Sequence, residues 1–273
     1  MGDDLGNDFV LRPVGVVKSA VAWKEKMPRW GVPAAIEIYP EYAEALYRIE
    51  ENTHIMVMGW LHHSDRSILQ IDRENWAGGR HRMGVFACRS PVRPNPIGTT
   101  TTRLLKRENN TLYVANLDMV DGTPVIDIKP HASGFDGVFC ARSARDLSKA
   151  RRPNPQPDYR AMFREAENFH GEFCPGIALG VRMLYHARVS FDIAQRDPDL
   201  VVTIGKNGHV ADALQALSGA TFGNGRLRWG GGPDFTLSYG GRHLHFSLKP
   251  LNGKDIDDIF AAEAQDLFSV LEK

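Results

Sequence analysis

Two periodicities divide this chain, and no single continuous fold satisfies both. Through about residue 130, apolar residues come in short runs rich in β-branched and aromatic side chains, at 14–18, 55–60, 84–88, 99–105, 112–117 and 124–128. Turn residues separate them, and Asn109-Asn110 is a hairpin signal between two of them. Many short strands with frequent punctuation predict a barrel or a sandwich. One helix is expected in this half, over 40–49, where Tyr42, Ala45, Leu46 and Ile49 fall at helical spacing. No glycine-rich G-x-G-x-x-G turn follows a strand, which argues against a Rossmann unit.

From Tyr159 the spacing changes. Met162, Phe163 and Ala166 repeat with a helical period, Pro175 can open a second helix, and Gly180 permits close packing within it. A compact strand over 200–204 and a short helix over 210–217, ending at Gly219, come next. Residues 234–239 and 243–248 read as a hairpin around Gly240-Gly241. Residues 255–271 read as one amphipathic helix with Ile256, Ile259, Phe260, Leu267 and Leu271 on a single face. A length of 273 residues fits two domains of ordinary size. The expected boundaries are 1–140 for a mainly-β domain, 141–158 for a proline-containing connector, and 159–273 for an α+β domain.

Net charge is zero, which argues against a generic nucleic-acid coat. The connector region is the exception: residues 136–160 hold six basic groups (Arg142, Arg145, Lys149, Arg151, Arg152, Arg160) against three acidic ones. Such a run suits a solvated linker or a contact with an RNA backbone. No stretch approaches the ~20 apolar residues of a membrane span. The N-terminal residues lack the features of a signal peptide, and Cys88, Cys140 and Cys174 are too few for a disulfide framework. A cytoplasmic protein without a membrane partner is expected.

The segment Gly84-Val-Phe-Ala-Cys-Arg-Ser-Pro-Val-Arg-Pro-Asn-Pro-Ile-Gly98 concentrates polar chemistry. Pro94 and Pro96 lock their own φ and push the preceding residues toward extended geometry, so Arg89, Arg93 and Asn95 are held stiffly. Chemistry alone leaves two readings open: a proline-rich turn with solvated arginines, or a preorganised ligand loop. Guanidinium offers a bidentate fork to carboxylates and phosphates, and Ser90 and Asn95 can bond base or ribose edges. Asp121-Gly122 reads as a tight turn. Asp127 is expected to share a strand face with Val125 and to pair with a nearby cation. Either Asp121 or Asp127 could take a proton in catalysis. His54, His62 and His63 read as polar surface or pocket residues, and Cys88 as a small core filler. In the second half His170, Glu172, Cys174 and His209 supply donors of the kind that hold zinc, whereas His243 and His245 read as exposed.

The 84–98 segment resembles the signature of the TsaA-like (TrmO) family. So do Pro13-Val-Gly-Val-Val17, Ala35-Ile-Glu-Ile-Tyr-Pro-Glu-Tyr-Ala-Glu-Ala-Leu46, Thr53-His-Ile-Met-Val57, and Leu117-Asp-Met-Val-Asp-Gly-Thr-Pro-Val-Ile-Asp-Ile-Lys-Pro130. The resemblance spans roughly residues 9–135 and is specific because separated motifs agree in spacing. It implies a β-barrel methyltransferase that binds S-adenosylmethionine (AdoMet). Its implied contacts are Phe86, Ala87, Arg89, Ser90, Arg93, Asn95, Ile97, Gly98, Asp121, Gly122, Thr123, Asp127 and Lys129. The family's best-known reaction, N6-methylation of threonylcarbamoyladenosine in tRNA, becomes the expected activity, with a homodimer completing the cleft. Three departures bear on the substrate. The family's VPRQ-like segment is matched only by Gly31-Val-Pro-Ala-Ala35, His131 replaces a tyrosine, and the second half is not the usual small domain.

That second half is similar to the FmdE family over roughly 160–250. The similarity is carried by Phe169-His-Gly-Glu-Phe-Cys-Pro-Gly-Ile-Ala-Leu-Gly-Val-Arg182, by His209-Val-Ala-Asp-Ala-Leu-Gln215 with residues 219–227, and by Tyr239-Gly-Gly-Arg242. Relative to that family, His209 replaces a cysteine, Glu172 replaces a histidine, and Ala220 replaces a further cysteine and cannot ligate. The resemblance implies zinc or another divalent transition metal on the surviving donors. Two alternatives to tRNA methylation stay open: methyl transfer to a small-molecule or metal-bound thiol, and a non-catalytic AdoMet- or metal-responsive regulator.

Overall fold

In a computed structural model, described here for residues 10–74, 80–138, 141 and 158–273, the chain forms two compact units. The first ends at Val138. Of the expected connector only Ala141 and Asp158 fall within the described residues, so Arg142, Arg145, Lys149, Arg151 and Arg152 lie outside them.

The first unit is a closed six-stranded barrel. Its strands are β1 (Gly15–Ser19), β2 (Val32–Ile38), β3 (His54–Trp60), β6 (Ile97–Glu108), β7 (Thr111–Leu117) and β8 (Pro124–Pro130), ordered β1-β2-β7-β6-β3-β8. A separate ribbon pairs β4 (Gln70–Glu74) with β5 (Arg80–Gly84). Alternation along the barrel strands turns Val17, Ile36, Ile55, Val57, Leu112, Val114 and Val125 inward, where they fill the lumen. Asn109, at φ 55, makes the expected turn between β6 and β7.

Three local expectations fail here. Residues 84–88 are not a strand: β5 stops at Gly84, and Val85–Ala87 is a single 3₁₀ turn. Residues 40–49 are not one α-helix. A 3₁₀ segment, Pro40–Leu46, is followed by Arg48 at φ 65 and a further 3₁₀ turn, Ile49–Glu51. Leu46 is buried in the barrel core and Tyr42 and Ile49 pack against that core, so two short 3₁₀ segments serve the packing without an α-helix. Asp127 does not share a face with Val125. Gly59 pairs with Val125 and Met58 with Asp127, so Ile126 is the extra residue of a β-bulge. The bulge inverts the alternation: Ile128, opposite Val57, turns inward, and Asp127 turns out.

The second unit wraps three longer helices and a sheet around one core. The helices are α1 (Tyr159–His170), α2 (Pro175–Phe191) and α3 (Gly208–Ser218). Strands β9 (Val201–Ile204), β10 (Leu227–Trp229), β11 (Phe235–Tyr239), β12 (Arg242–Leu248) and β13 (Phe268–Glu272) form a sheet ordered β10-β9-β11-β12-β13. Helix α2 is buried along most of its length. It can lie this close to α3 because Gly180 has no side chain: a Cβ there would sit 2.5 Å from that of Ala213.

The expected single helix over 255–271 divides into α4 (Ile256–Ala261), α5 (Ala264–Leu267) and β13. A capping box between Asp255 and Asp258 starts α4. Its end is set from a distance: the buried Arg182 donates to the carbonyls of Ile259, Phe260 and Ala262, groups that a continuing helix would have used. Phe268–Glu272 then pairs with β12 and covers an otherwise open sheet edge, which leaves Leu271 exposed rather than on an apolar helix face.

Candidate functional sites

The arginine–proline loop is built by its own backbone. Arg93 Nε donates to the carbonyl of Ser90 at 2.8 Å, and its Nη2 donates to those of Val85 (3.0 Å) and Cys88 (2.7 Å). Arg66 Nε donates to the Pro94 carbonyl at 2.8 Å, and the Leu61 amide to that of Pro96 at 2.7 Å. Arg93 is therefore a clasp that curls the loop, not a free fork awaiting a carboxylate. Gly98 belongs to the same construction: a Cβ there would meet the Leu61 side chain at 2.9 Å.

Beside this loop lies a cleft of about 480 Å³, within the range of small-molecule sites. Arg89, Ser90, Arg93, Ile97, Gly98 and Thr123, six of the residues named from the family resemblance, line it. Phe86, Ala87, Asn95, Asp121, Gly122, Asp127 and Lys129 are not among its lining residues. Phe86 is 82% exposed. Asp121 accepts the Ser19 amide at 2.9 Å and holds a turn with Gly122 at φ 76. Asp127 accepts the Ile128 amide and pairs with Lys129 at 2.6 Å, the ion pair foreseen as its structural role.

Several cleft residues escaped the sequence reading. The 24–29 stretch contributes Lys24, Met27, Pro28 and Arg29. The signal for it was present in the basic, proline-containing run Lys24-Glu-Lys-Met-Pro-Arg29 beside the motifs already matched. Leu61 and Met119 also line the cleft, as does Asp118, whose carboxylate accepts from the Thr100 hydroxyl; His62 and His63, read from the sequence as polar surface or pocket residues, line it too. Burial, reinforced by the neighbouring His63, pulls His62 below the usual imidazole range and favours its neutral form. Arg89 donates to the Thr99 carbonyl at the cleft wall. The cleft thus joins apolar surface to four cationic side chains (Lys24, Arg29, Arg89, Arg93), the Asp118 carboxylate and the imidazoles of His62 and His63.

The second unit gathers a different set. His170 ends α1, where Gly171 takes φ 88; Cys174 immediately precedes α2; His209 sits in the first turn of α3. Their ligand atoms converge. His170 Nε2 lies 2.9 Å from His209 Nδ1, and Cys174 Sγ lies 3.4 Å from His209 Nδ1 and 3.8 Å from His170 Nε2. Gly176 lets α2 begin against this corner, since a Cβ there would stand 2.5 Å from that of His209. Glu172, the fourth expected donor, is exposed and outside the group. His243 and His245 instead bond the hydroxyls of Ser238 and Thr236.

A barrel with a loop-lined cleft of this composition has the form of a small-ligand site. The tRNA-methyltransferase O N-terminal domain family matches residues 16–145, and the FmdE family, described from the molybdenum formylmethanofuran dehydrogenase operon, matches residues 169–248. An Archaeoglobus fulgidus protein named "Probable S-adenosyl-L-methionine-binding protein" is 34% identical over 276 residues, covering 95% of this chain and 72% of its own. A shorter "S-adenosyl-L-methionine-binding protein" of that organism is 41% identical over 134 residues, covering 48% of this chain and 94% of its own. The crystal structure of TrmO aligns with 88% of this chain and 93% of its own at 20% identity, with a TM-score of 0.44. The chain belongs to the TrmO-like family of S-adenosyl-L-methionine-binding proteins, with an FmdE region in its second half. Among the described residues no helix is long and apolar enough to cross a membrane.

Proposed function

We propose that the barrel unit binds AdoMet in the cleft beside the Arg89–Gly98 loop and transfers its methyl group to a nitrogen of tRNA, N6 of threonylcarbamoyladenosine being the acceptor that the family resemblance favours. The observation that carries this reading is that the family's signature loop lines a cleft of ligand size. Arg89 offers a cation to the methionine carboxylate, and Leu61, Ile97 and Met119 offer apolar surface to the adenosyl group. The carbon–sulfur bond of the sulfonium breaks as the carbon–nitrogen bond forms. Dispersal of the sulfonium charge favours a dry setting, and most of the acceleration comes from alignment. The acceptor nitrogen then sheds a proton, and the base we propose for it is Asp118 or His62, both of which line the cleft. Calorimetric titration should show AdoMet binding to the wild-type protein. Labelled AdoMet incubated with a cell extract should place its methyl group in the RNA fraction. Label confined to small molecules would move the reading to a thiol acceptor, and binding without turnover to a regulator.

For the second unit we propose a divalent transition ion held by His170, Cys174 and His209. A tetrahedral ion with bonds of about 2.05 Å to nitrogen and about 2.3 Å to sulfur sets donor–donor edges of about 3.3 and 3.6 Å. The two nitrogen–sulfur separations, 3.4 and 3.8 Å, bracket the second value, and the nitrogen–nitrogen separation of 2.9 Å lies a few tenths of an ångström inside the first. Zinc fits this nitrogen–sulfur set. Elemental analysis of the purified protein should find one equivalent of metal, and a Cys174→Ala protein should carry less than a tenth of that.

A further inference from the structure

We propose that this metal centre is an open one, in which three protein donors leave a vertex for an exogenous organic thiolate and Asp212 is the positioning residue that aims His170. The inference rests on the metal reading above and goes beyond it by stating the ligand class and the device that holds the centre in shape.

Asp212 carries the first part of the argument. It lies one helical turn after His209 on α3, and its Oδ2 is 2.8 Å from His170 Nδ1. A carboxylate there accepts the Nδ1 proton. That fixes the tautomer, so the Nε2 lone pair points at Cys174 and His209. One helix thus supplies both a donor, His209, and the group that orients a second donor, His170. A cluster held only by its own hydrogen bonds has no need of this carboxylate, whereas a metal-ligating histidine commonly uses one.

The vacant vertex carries the second part. Among the described residues no fourth histidine, cysteine or carboxylate joins the three. His170 and Cys174 are partly buried and His209 is exposed, so one side of the cluster faces solvent. Two neutral imidazoles and one thiolate leave one positive charge on a divalent ion itself, shared between the Asp212 carboxylate behind His170 and an anion on the remaining vertex. Sulfur already in the set favours a soft donor over a carboxylate. On binding, the thiol replaces a metal-bound water and loses its S–H proton to solvent, and no redox change is involved.

Cobalt(II)-loaded full-length protein tests this directly, with 2-mercaptoethanol as the probe. The expected result is a visible ligand-field spectrum that changes on addition of the thiol and saturates at one thiol per cobalt, with release of about one proton. Asp212→Asn should weaken cobalt binding by about 10–100-fold without moving the thermal midpoint of the metal-free protein, and Asp212→Glu should recover part of the loss. A cobalt spectrum that the thiol leaves unchanged would overturn the open vertex while the metal reading stood. Unchanged affinity in Asp212→Asn would overturn the positioning role. Failure of the wild-type protein to take up cobalt or zinc would remove the metal reading and this inference together.

Discussion

An Arg93→Ala protein is expected to lose AdoMet affinity by about ten-fold or more while its second unit melts unchanged. The guanidinium bridges the carbonyls of Ser90, Val85 and Cys88. Hydrogen bonds from a charged donor contribute about 1.5–3 kcal/mol each. Water can reach part of this loop once the side chain is gone, so the effect should fall on loop order rather than on global stability. An ordering cost of about 1.4 kcal/mol is already ten-fold in binding. Arg93→Lys should recover little, because one ammonium cannot span three carbonyls in the plane of a fork. Calorimetric Kd values for wild type, Arg93→Ala and Arg89→Ala separate clasp from ligand partner. An unchanged Kd in Arg93→Ala would mean that the prolines hold the loop unaided.

Arg182→Met should destabilise the second unit by at least about 3 kcal/mol. Arg182 is 7% exposed. It donates to the carbonyls of Ile259, Phe260 and Ala262, and its guanidinium lies 4.8 Å from the centre of the Tyr159 ring. The buried Ile259 carbonyl left without a donor costs about 1–3 kcal/mol, the part-buried Phe260 and Ala262 carbonyls add to that, and the cation–π contact is lost as well. Methionine fills much of the volume, so the loss is one of polar satisfaction rather than of a cavity. In a unit of this size the melting midpoint should fall by roughly 10 °C or more. A shift under about 3 °C would show that α4 and α5 hold their ends without Arg182.

Both arginines belong to sequence motifs, and in both the tertiary structure assigns the side chain to backbone carbonyls. A motif arginine reads as a ligand partner because a guanidinium suits anions. The same five donors suit three carbonyls at once, and only folding reveals which acceptors are near. Asp127 teaches a related lesson. Strict alternation with Val125 placed it inward, but the bulge at Ile126 reversed the face, and a one-residue insertion leaves no mark in hydrophobic periodicity. Residues 255–271 were apolar at both helical and strand spacing over part of their length. The open edge of β12 and the carbonyl-seeking Arg182 decided between the two.

The amino-acid sequence by itself determined the division into a strand-rich and a helix-rich half, the hairpin turns at Asn109-Asn110 and Gly240-Gly241, and the chemical identity of His170, Cys174 and His209. Those features depend on local spacing and side-chain type, which a linear chain carries in full. Only the tertiary structure decided that Asp118, His62 and the 24–29 stretch share a cleft with Arg89, and that Asp212 stands behind His170. Those juxtapositions bring together residues separated along the chain by tens of positions. Their closeness follows from barrel closure and from the approach of α3 to α1 and α2, not from any pattern that neighbouring residues could display.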